Sequence, residues 1–549
     1  MIEGILREAE ADIKRIEALY LGENISQILF DAEKDVPSQT ALNFFEDKDT
    51  LTYQQLANLV RQFAVGLKNA GIGVGDSVGV MIANRREFPI SWLALMTIGA
   101  VMVPINTRYT PREVQFVLEH SQSKMLIIDG DLLDSLNSEK PIYDIYSGPI
   151  ISTSEYNSVF SAALLNDLIS NVSEDEAKAA IHPEITSKNL ANIQFTSGST
   201  GMPKGCRQTH TFWLEVSMFI AQAYLPAAKN YLLHQSFFYM DPQFLMLAAF
   251  RNRGTAFIAR RPSATRYFDW IEKNNIEYIF LPEFIYKQND LKNRKFPSLK
   301  HGMIFGWGSH NHVAAENDLG ITLREGFGMT EIGIATYMPK NASEMVGSRS
   351  CGVVAPFRDC KIMRDEENEC EPDEVGEIWV KGDGVITAYH NNPEANEKSF
   401  YKEWFKSGDL GRRDKNGFFY YSGRLKDMIR RSGENISAQE VEAVLRTAPG
   451  VVEASVVPFK DEMRGEEVKA YLTCVEGIEL KSNSAALDQI YKTCQENLAS
   501  FKIPRYIEQV SEFPRTGSNK IAKQVFVAGR SGVQSDHFDK ESSTWIPVA

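Results

Sequence analysis

The run from Phe88 to Thr107 carries no charged side chain over 20 residues, enough in length to cross a bilayer. Pro89, Gly99 and Pro104 interrupt it. Its β-branched end, Val101-Met102-Val103-Pro104-Ile105, reads as a buried strand following a buried helix, so this stretch is expected inside a protein core, with no membrane span. From Leu51 to Asp129 helical and strand signals alternate around it. Val78–Ile82 and Met125–Ile128 are apolar runs of strand length. Between them Thr110-Pro111-Arg112-Glu113 joins an N-cap, a proline at the first helical position and a capping-box glutamate, opening a helix that reaches His120. Such alternation predicts an α/β fold: a large N-terminal domain of parallel-rich sheets covered by helices.

At 549 residues the chain exceeds what one core can organise. A smaller α+β unit is expected from near Asp427. Ser437-Ala438-Gln439-Glu440 reads as a capping box, Gly450 as the end of its helix, and Val451–Val457 and Val468–Val475 as strands before a helix through about Leu498. The expected organisation is an N-terminal domain over 1–425, a mobile C-terminal domain over 426–527 and a loose polar tail over 528–549. Residues 1–20 place Ile2, Ile5, Leu6, Ala9, Ile13, Ile16 and Leu19 at helical spacing. Glu3, Glu8, Glu10 and Asp12 make this segment unlike a signal or transit peptide, and docking on the chain's own body is expected.

A net charge of −13 argues against nucleic acid as the main partner, because neutralising phosphates needs a basic surface. A local cluster still suffices for ATP or CoA. The six cysteines lie far apart without a C-x-x-C pair, which suggests neither a zinc site nor a disulfide scaffold and fits a reducing cytoplasm.

The chemistry is concentrated in Thr196-Ser197-Gly198-Ser199-Thr200-Gly201-Met202-Pro203-Lys204-Gly205. Glycines let backbone N–H groups curl around a phosphate, hydroxyls add donors and Lys204 adds charge. A flexible surface loop has the same composition. The run is not a Walker A loop, because Lys204 is followed by Gly205 and the glycine spacing differs. Further elements follow in order: Phe327-Gly328-Met329-Thr330-Glu331, which a capped helix start would also explain; Ser407-Gly408-Asp409-Leu410; Gly423-Arg424-Leu425-Lys426-Asp427; and Pro514-Arg515-Thr516-Gly517-Ser518-Asn519-Lys520. Asn416-Gly417 marks a hairpin that would return Arg424 close to Asp409.

In this order and spacing the chain resembles the adenylate-forming superfamily, on its acyl-CoA synthetase branch, from about Leu51 to Phe526. The resemblance implies an enzyme that joins a carboxylate to ATP as acyl-AMP, releasing pyrophosphate, and then passes the acyl group to CoA. It implies that Thr196, Ser197, Gly198, Ser199, Thr200, Gly201 and Lys204 hold the β- and γ-phosphates. Glu331 would ligate Mg²⁺, Thr330 would donate to the α-phosphate and Phe327 would lie against adenine. Asp409 and Arg424 would clamp the ribose, and Lys520 would bridge carboxylate and α-phosphate in the transition state. Lys426 is carried over as the hinge of a rotating small domain, and Ser432, Gly433 and Glu434 as residues facing CoA. Lys406 departs from the arginine frequent two residues before the motif's glycine.

The acid pocket in this family implies His234–Phe244 and Phe305–Ser309. Tyr239 stands where many relatives carry a gating histidine, and Trp307, beside Gly308, is bulky where small residues admit long chains. With Phe238 and Asp241 they suggest a short polar or betaine-like acid, since aromatic faces and a carboxylate suit a quaternary ammonium. The pattern looks similar to crotonobetaine/carnitine-CoA ligases. Two other readings stand beside it: an adenylation enzyme loading a separate carrier protein, and a non-catalytic nucleotide-binding regulator. A homodimer is compatible with all three.

Overall fold

The computed structural model describes residues 2–546 except 157–161, 171, 174, 177–183, 197–202, 292, 432–433, 462–463, 499, 516–520 and 528–535. Two compact units emerge. The first comprises Met1–Cys360, Val380–Lys406 and Asn416–Phe419; the second Lys361–Trp379, Ser407–Lys415 and Tyr420–Ala549.

The first unit holds two sheets. One runs in the order Ala163–Leu164, Ile150–Ser152, Met125–Ile128, Ser77–Met81, Val101–Pro104, Leu190–Thr196, Lys204–Thr209. All its pairings are parallel except the last, an antiparallel hairpin. The other has a parallel centre through Thr322–Met329, His301–Ile304, Tyr278–Phe280, Asn230–Leu233, Thr255–Ile258 and Thr40–Phe44. Antiparallel neighbours flank that centre: Asp49–Thr52 at one end, then Gly333–Tyr337 and Ser350–Val354 at the other. Parallel strands need helical crossovers, so the sheets are layered with helices, as the alternation predicts.

The uncharged run is core. Helix Glu87–Ile98 is buried on every side from Phe88 onward, and it ends at Gly99, whose φ of +73° is the left-handed conformation glycine adopts without strain. Strand Val101–Pro104 follows, fully buried. No described helix is long and apolar enough to cross a membrane. The expected box opens helix Pro111–His120: Thr110 and Glu113 cap each other's backbone N–H groups. Helix Ile2–Glu17 buries Ile5, Ala9 and Ile16, and Arg15 donates to the Gln222 carbonyl at 2.9 Å, so the N-terminus docks on its own unit.

The second unit carries the strands Glu434–Ser437, Met428–Arg431, Gly465–Cys474, Tyr506–Gln509, His537–Asp539 and Thr544–Ile546 in that order, with Val451–Asp461 paired to Gly465–Cys474. Val441, Leu445, Val456, Leu472, Leu487 and Ile490 form its core under helices Ala438–Leu445 and Ser484–Asn497.

Three expectations are corrected here. Ser437 accepts from the Glu440 N–H, but the Glu440 carboxylate is bound by Lys502 at 2.8 Å, so only half the capping box forms. The helix ends at Leu445, and Gly450 (φ +84°) instead turns the chain into the next strand. Residues 537–546, expected as loose tail, extend the sheet, because Asp539 and Glu541 pair with Arg505 and anchor a short strand beside Tyr506–Gln509.

Candidate active site

In the first unit Thr196 and Lys204 are register partners on the antiparallel strands Leu190–Thr196 and Lys204–Thr209. The Thr196 hydroxyl donates to the Lys204 carbonyl at 3.4 Å. Ser197, Gly198, Ser199, Thr200 and Gly201 lie outside the described residues.

The Phe327–Glu331 element is a strand and turn, not a helix start. Phe327 lies on strand Thr322–Met329, and Thr330 and Glu331 sit in the tight turn to Gly333–Tyr337, where Gly333 has φ +65°. Gln208, on strand Lys204–Thr209, donates to the Thr330 carbonyl at 2.8 Å. Glu331 is 7% exposed and its Oε1 accepts the Tyr389 hydroxyl at 2.8 Å. The Lys204 ammonium lies 4.6 Å from the centroid of the same Tyr389 ring. Arg358 donates to the Ile332 carbonyl at 2.9 Å and pairs with buried Glu215, fixing the chain immediately after Glu331. Thr196, Lys204, Thr330 and Glu331 are thus brought together by two residues that sequence reasoning missed, Gln208 and Tyr389. The only signal for Tyr389 is an aromatic shortly before Asn392-Pro393, the capped start of helix Pro393–Ser399.

Tyr239 stands at the start of helix Met240–Arg251, with Asp241 in its first turn. The Phe238 and Tyr239 rings stand 4.6 Å apart. Buried amides pin this segment: Gln194 donates to the Phe238 carbonyl (2.6 Å), Gln243 to the Phe237 and Tyr239 carbonyls (2.7 and 3.1 Å), and Asn84 accepts from the Phe237 N–H (2.9 Å). Trp307 is buried in an apolar cluster with Ile285, Ala315 and Leu323, its ring 5.6 Å from Tyr286. Its turn is held by carboxylates. Glu325 accepts from the Gly306 and Trp307 N–H groups at 3.2 and 2.8 Å, and Glu283 from the Gly308 N–H at 3.1 Å. Burial outweighs those bonds on Glu325 and, with the Glu283 charge nearby, pushes its carboxyl up to about 8.

In the second unit Asp409 is 2% exposed, and its Oδ1 lies 3.0 Å from Arg424 Nε and 3.3 Å from the Tyr421 hydroxyl. Burial first, and the Asp409 charge second, raise the Tyr421 phenol above its ordinary range, so it stays a donor. Gly408 (φ +70°) directs its N–H to Glu377 at 2.8 Å, and Ser407 accepts from the Asp409 N–H at 3.0 Å. Lys426 falls in the short 3₁₀ turn Leu425–Asp427, and Glu434 begins strand Glu434–Ser437. Ser432, Gly433 and Lys520 lie outside the described residues.

The donor set fits magnesium shared with phosphates. Among the described residues no group of three His, Cys, Asp or Glu could cage a metal, while one buried carboxylate is what a phosphate-bridging Mg²⁺ takes from protein.

The AMP-binding enzyme family matches residues 29–390 and the AMP-binding enzyme C-terminal domain residues 440–520. The chain belongs to the AMP-binding enzyme family, on the acyl-CoA synthetase branch of the adenylate-forming superfamily. It is 28% identical to a 2-succinylbenzoate–CoA ligase of Bacillus velezensis over 90% of this chain and 96% of that protein. It is also 28% identical to a crotonobetaine/carnitine–CoA ligase of Escherichia coli, over 86% and 92%. The o-succinylbenzoate CoA synthetase of Bacillus subtilis, solved with its acyl-adenylate intermediate, superposes with a TM-score of 0.78 at 25% identity, covering 92% of this chain and 98% of the other.

Proposed function

We propose that the acid activated by this ATP-dependent, AMP-forming CoA ligase is short and polar, of the betaine type. The observation that carries the reading is the Phe238–Tyr239 pair, two aromatic rings with centroids 4.6 Å apart, tilted by 52°, at the head of the helix bearing Asp241. Aromatic faces attract a quaternary ammonium through their quadrupole, and a carboxylate adds to that attraction. Pinning by Gln194 and Gln243 keeps this wall from yielding to a long chain. Of two relatives, one is named for crotonobetaine or carnitine, which are acids of this type, and the other for 2-succinylbenzoate.

In the first half-reaction the carboxylate attacks the α-phosphate of ATP and pyrophosphate leaves. Both reactants are anions, so the protein must supply charge and alignment. Lys204 and residues 196–201 are assigned to the β- and γ-phosphates, Thr330 to the α-phosphate and Phe327 to adenine. Glu331 would hold magnesium, which when bound neutralises phosphate charge. Asp409 and Arg424 are assigned to the ribose and Lys520 to the developing charge. In the second half-reaction the CoA sulfur attacks the acyl carbon and AMP leaves. The domain 426–527 supplies Lys520 to the first step and Ser432, Gly433 and Glu434 to the second, with Lys426 as hinge.

A screen of betaine-type acids against fatty acids of equal size, read as pyrophosphate release, tests the substrate. Preference for octanoate or longer removes the idea. Thioester on a carrier protein's phosphopantetheine instead of free CoA would favour a carrier-loading enzyme. A cytoplasmic location and a homodimer belong to the same proposal, the first supported by six cysteines that are all free. Sedimentation of the purified chain tests the second.

A further inference from the structure

Tyr389 has no role in the scheme above, yet it touches two of the charged groups that scheme uses. Its hydroxyl donates to Glu331 Oε1 at 2.8 Å, and its ring face lies 4.6 Å from the Lys204 ammonium. Tyr389 as a whole is 4% exposed. The surrounding backbone is fixed as well. Residues 386–390 bond on one side to strand Lys204–Thr209: Thr387 N–H to the Arg207 carbonyl at 3.1 Å, Arg207 N–H to the Ala388 carbonyl at 3.0 Å, His390 N–H to the Gly205 carbonyl at 2.7 Å. On the other side the Ile386 N–H donates to the Glu331 carbonyl at 2.9 Å. Asn396 completes the frame, accepting from the Tyr389 N–H at 2.6 Å and donating to its carbonyl at 3.0 Å.

A lysine ammonium and a glutamate carboxylate that both contact one aromatic side chain attract each other. If they paired, each would offset the other's field, leaving the carboxylate less available to a cation and the ammonium less available to an anion. We infer that Tyr389 is a positioning residue that gives each charge a separate neutral partner: the hydroxyl holds Glu331 ready for magnesium, and the ring face holds Lys204 ready for phosphate. A phenol suits both tasks, because its O–H stabilises an anion and its π-face a cation while neither is neutralised. The inference rests on the assignment of Glu331 to magnesium and Lys204 to phosphate.

The test is calorimetric titration of the full-length protein with ATP, in the absence of acid and CoA, at magnesium concentrations from zero to saturation. Tyr389→Phe keeps the ring and removes the hydroxyl. Magnesium's enhancement of ATP binding is expected to fall about tenfold while magnesium-free binding stays near the parent's. Tyr389→Leu removes both contacts and should weaken magnesium-free binding too. Tyr389→Phe on a Glu331→Gln background should add nothing to the magnesium response, because the partner charge is already gone. A parent-like magnesium response in Tyr389→Phe overturns the inference, as does an equal loss with and without magnesium. If Tyr389→Phe does not fold, Asn396→Ala loosens the same backbone and must weaken the magnesium response; a parent-like response there overturns the inference as well. Failure of those two assignments looks different, since the parent itself would then bind ATP without any magnesium enhancement.

Discussion

Arg424 Nε stands 3.0 Å from Oδ1 of Asp409, a carboxylate 2% exposed on the neighbouring strand of the same unit. Arg424 is 43% exposed at its side chain, so the pair is part-screened and its worth lies in placing the carboxylate more than in holding the fold. Asp409→Asn keeps the shape and removes the charge that two ribose hydroxyls and Arg424 would share. KM for ATP is expected to rise about tenfold or more, with the KM for the acid unchanged, in steady-state pyrophosphate release. An unchanged KM for ATP would remove Asp409 from the nucleotide site.

Glu325 links the Trp307 turn to pH. Its folded carboxyl sits at about 8, above the ordinary 4.5, so the unfolded chain releases its proton first as pH rises. The stabilisation from the neutral form is complete below about pH 4.5, declines between about 4.5 and 8 and is gone above, at up to about 1.4 kcal/mol per pH unit. Glu325→Gln keeps a neutral group but only one acceptor for the Gly306 and Trp307 N–H groups. It is expected to be about 1–3 kcal/mol less stable than the parent at pH 5, and the gap should close or reverse by pH 9. Urea unfolding of both proteins at pH 5, 7 and 9 checks this; a gap independent of pH contradicts it.

Local signals carried much of this structure in the sequence. The Thr110 box, the strands flanking it and the closeness of Asp409 and Arg424 across the Asn416-Gly417 turn each depend on residues near one another in the chain. What was hidden depends on distant partners. Glu440 leaves its capping box for Lys502, 62 residues away, and Tyr389 meets Glu331 across 58. Neither pairing leaves a periodic or motif trace. The amides Gln194 and Gln243, which fix the Phe238–Tyr239 wall, look in sequence like ordinary strand and helix residues; only their burial shows that each must find a backbone partner.

Arg358 and Glu215 are 2% and 6% exposed at their side chains. Burial pushes the Glu215 carboxyl up, opposed by the Arg358 guanidinium, so the carboxylate depends on its partner. Arg358→Ala strands it and also releases the Ile332 and Gly384 carbonyls. Destabilisation of about 3–5 kcal/mol is expected in urea unfolding followed by tryptophan fluorescence. The double change Arg358→Met with Glu215→Leu should recover most of that loss, because it removes the uncompensated charge along with its partner. Equal destabilisation of the single and double variants would show that the carbonyl contacts, not the charge, dominate.

The proposed assignment of Lys520 to the developing charge separates the two half-reactions. In the first, charge gathers on the α-phosphate and the attacking carboxylate, and a lysine bridging them stabilises the transition state more than the bound substrates. In the second, the adenylate already exists and the attacking group is the CoA sulfur, so that lysine has nothing to bridge. Lys520→Ala is therefore expected to slow adenylate formation by about 10²–10³-fold or more, equal to about 2.7–4 kcal/mol. Thioester formation from a supplied acyl-adenylate should stay within a few-fold of the parent. Rapid-quench measurement of pyrophosphate in one assay and acyl-CoA in the other distinguishes the steps. If both rates fall together, one arrangement of the residues serves both reactions and the assignment of Lys426 as a hinge fails with it.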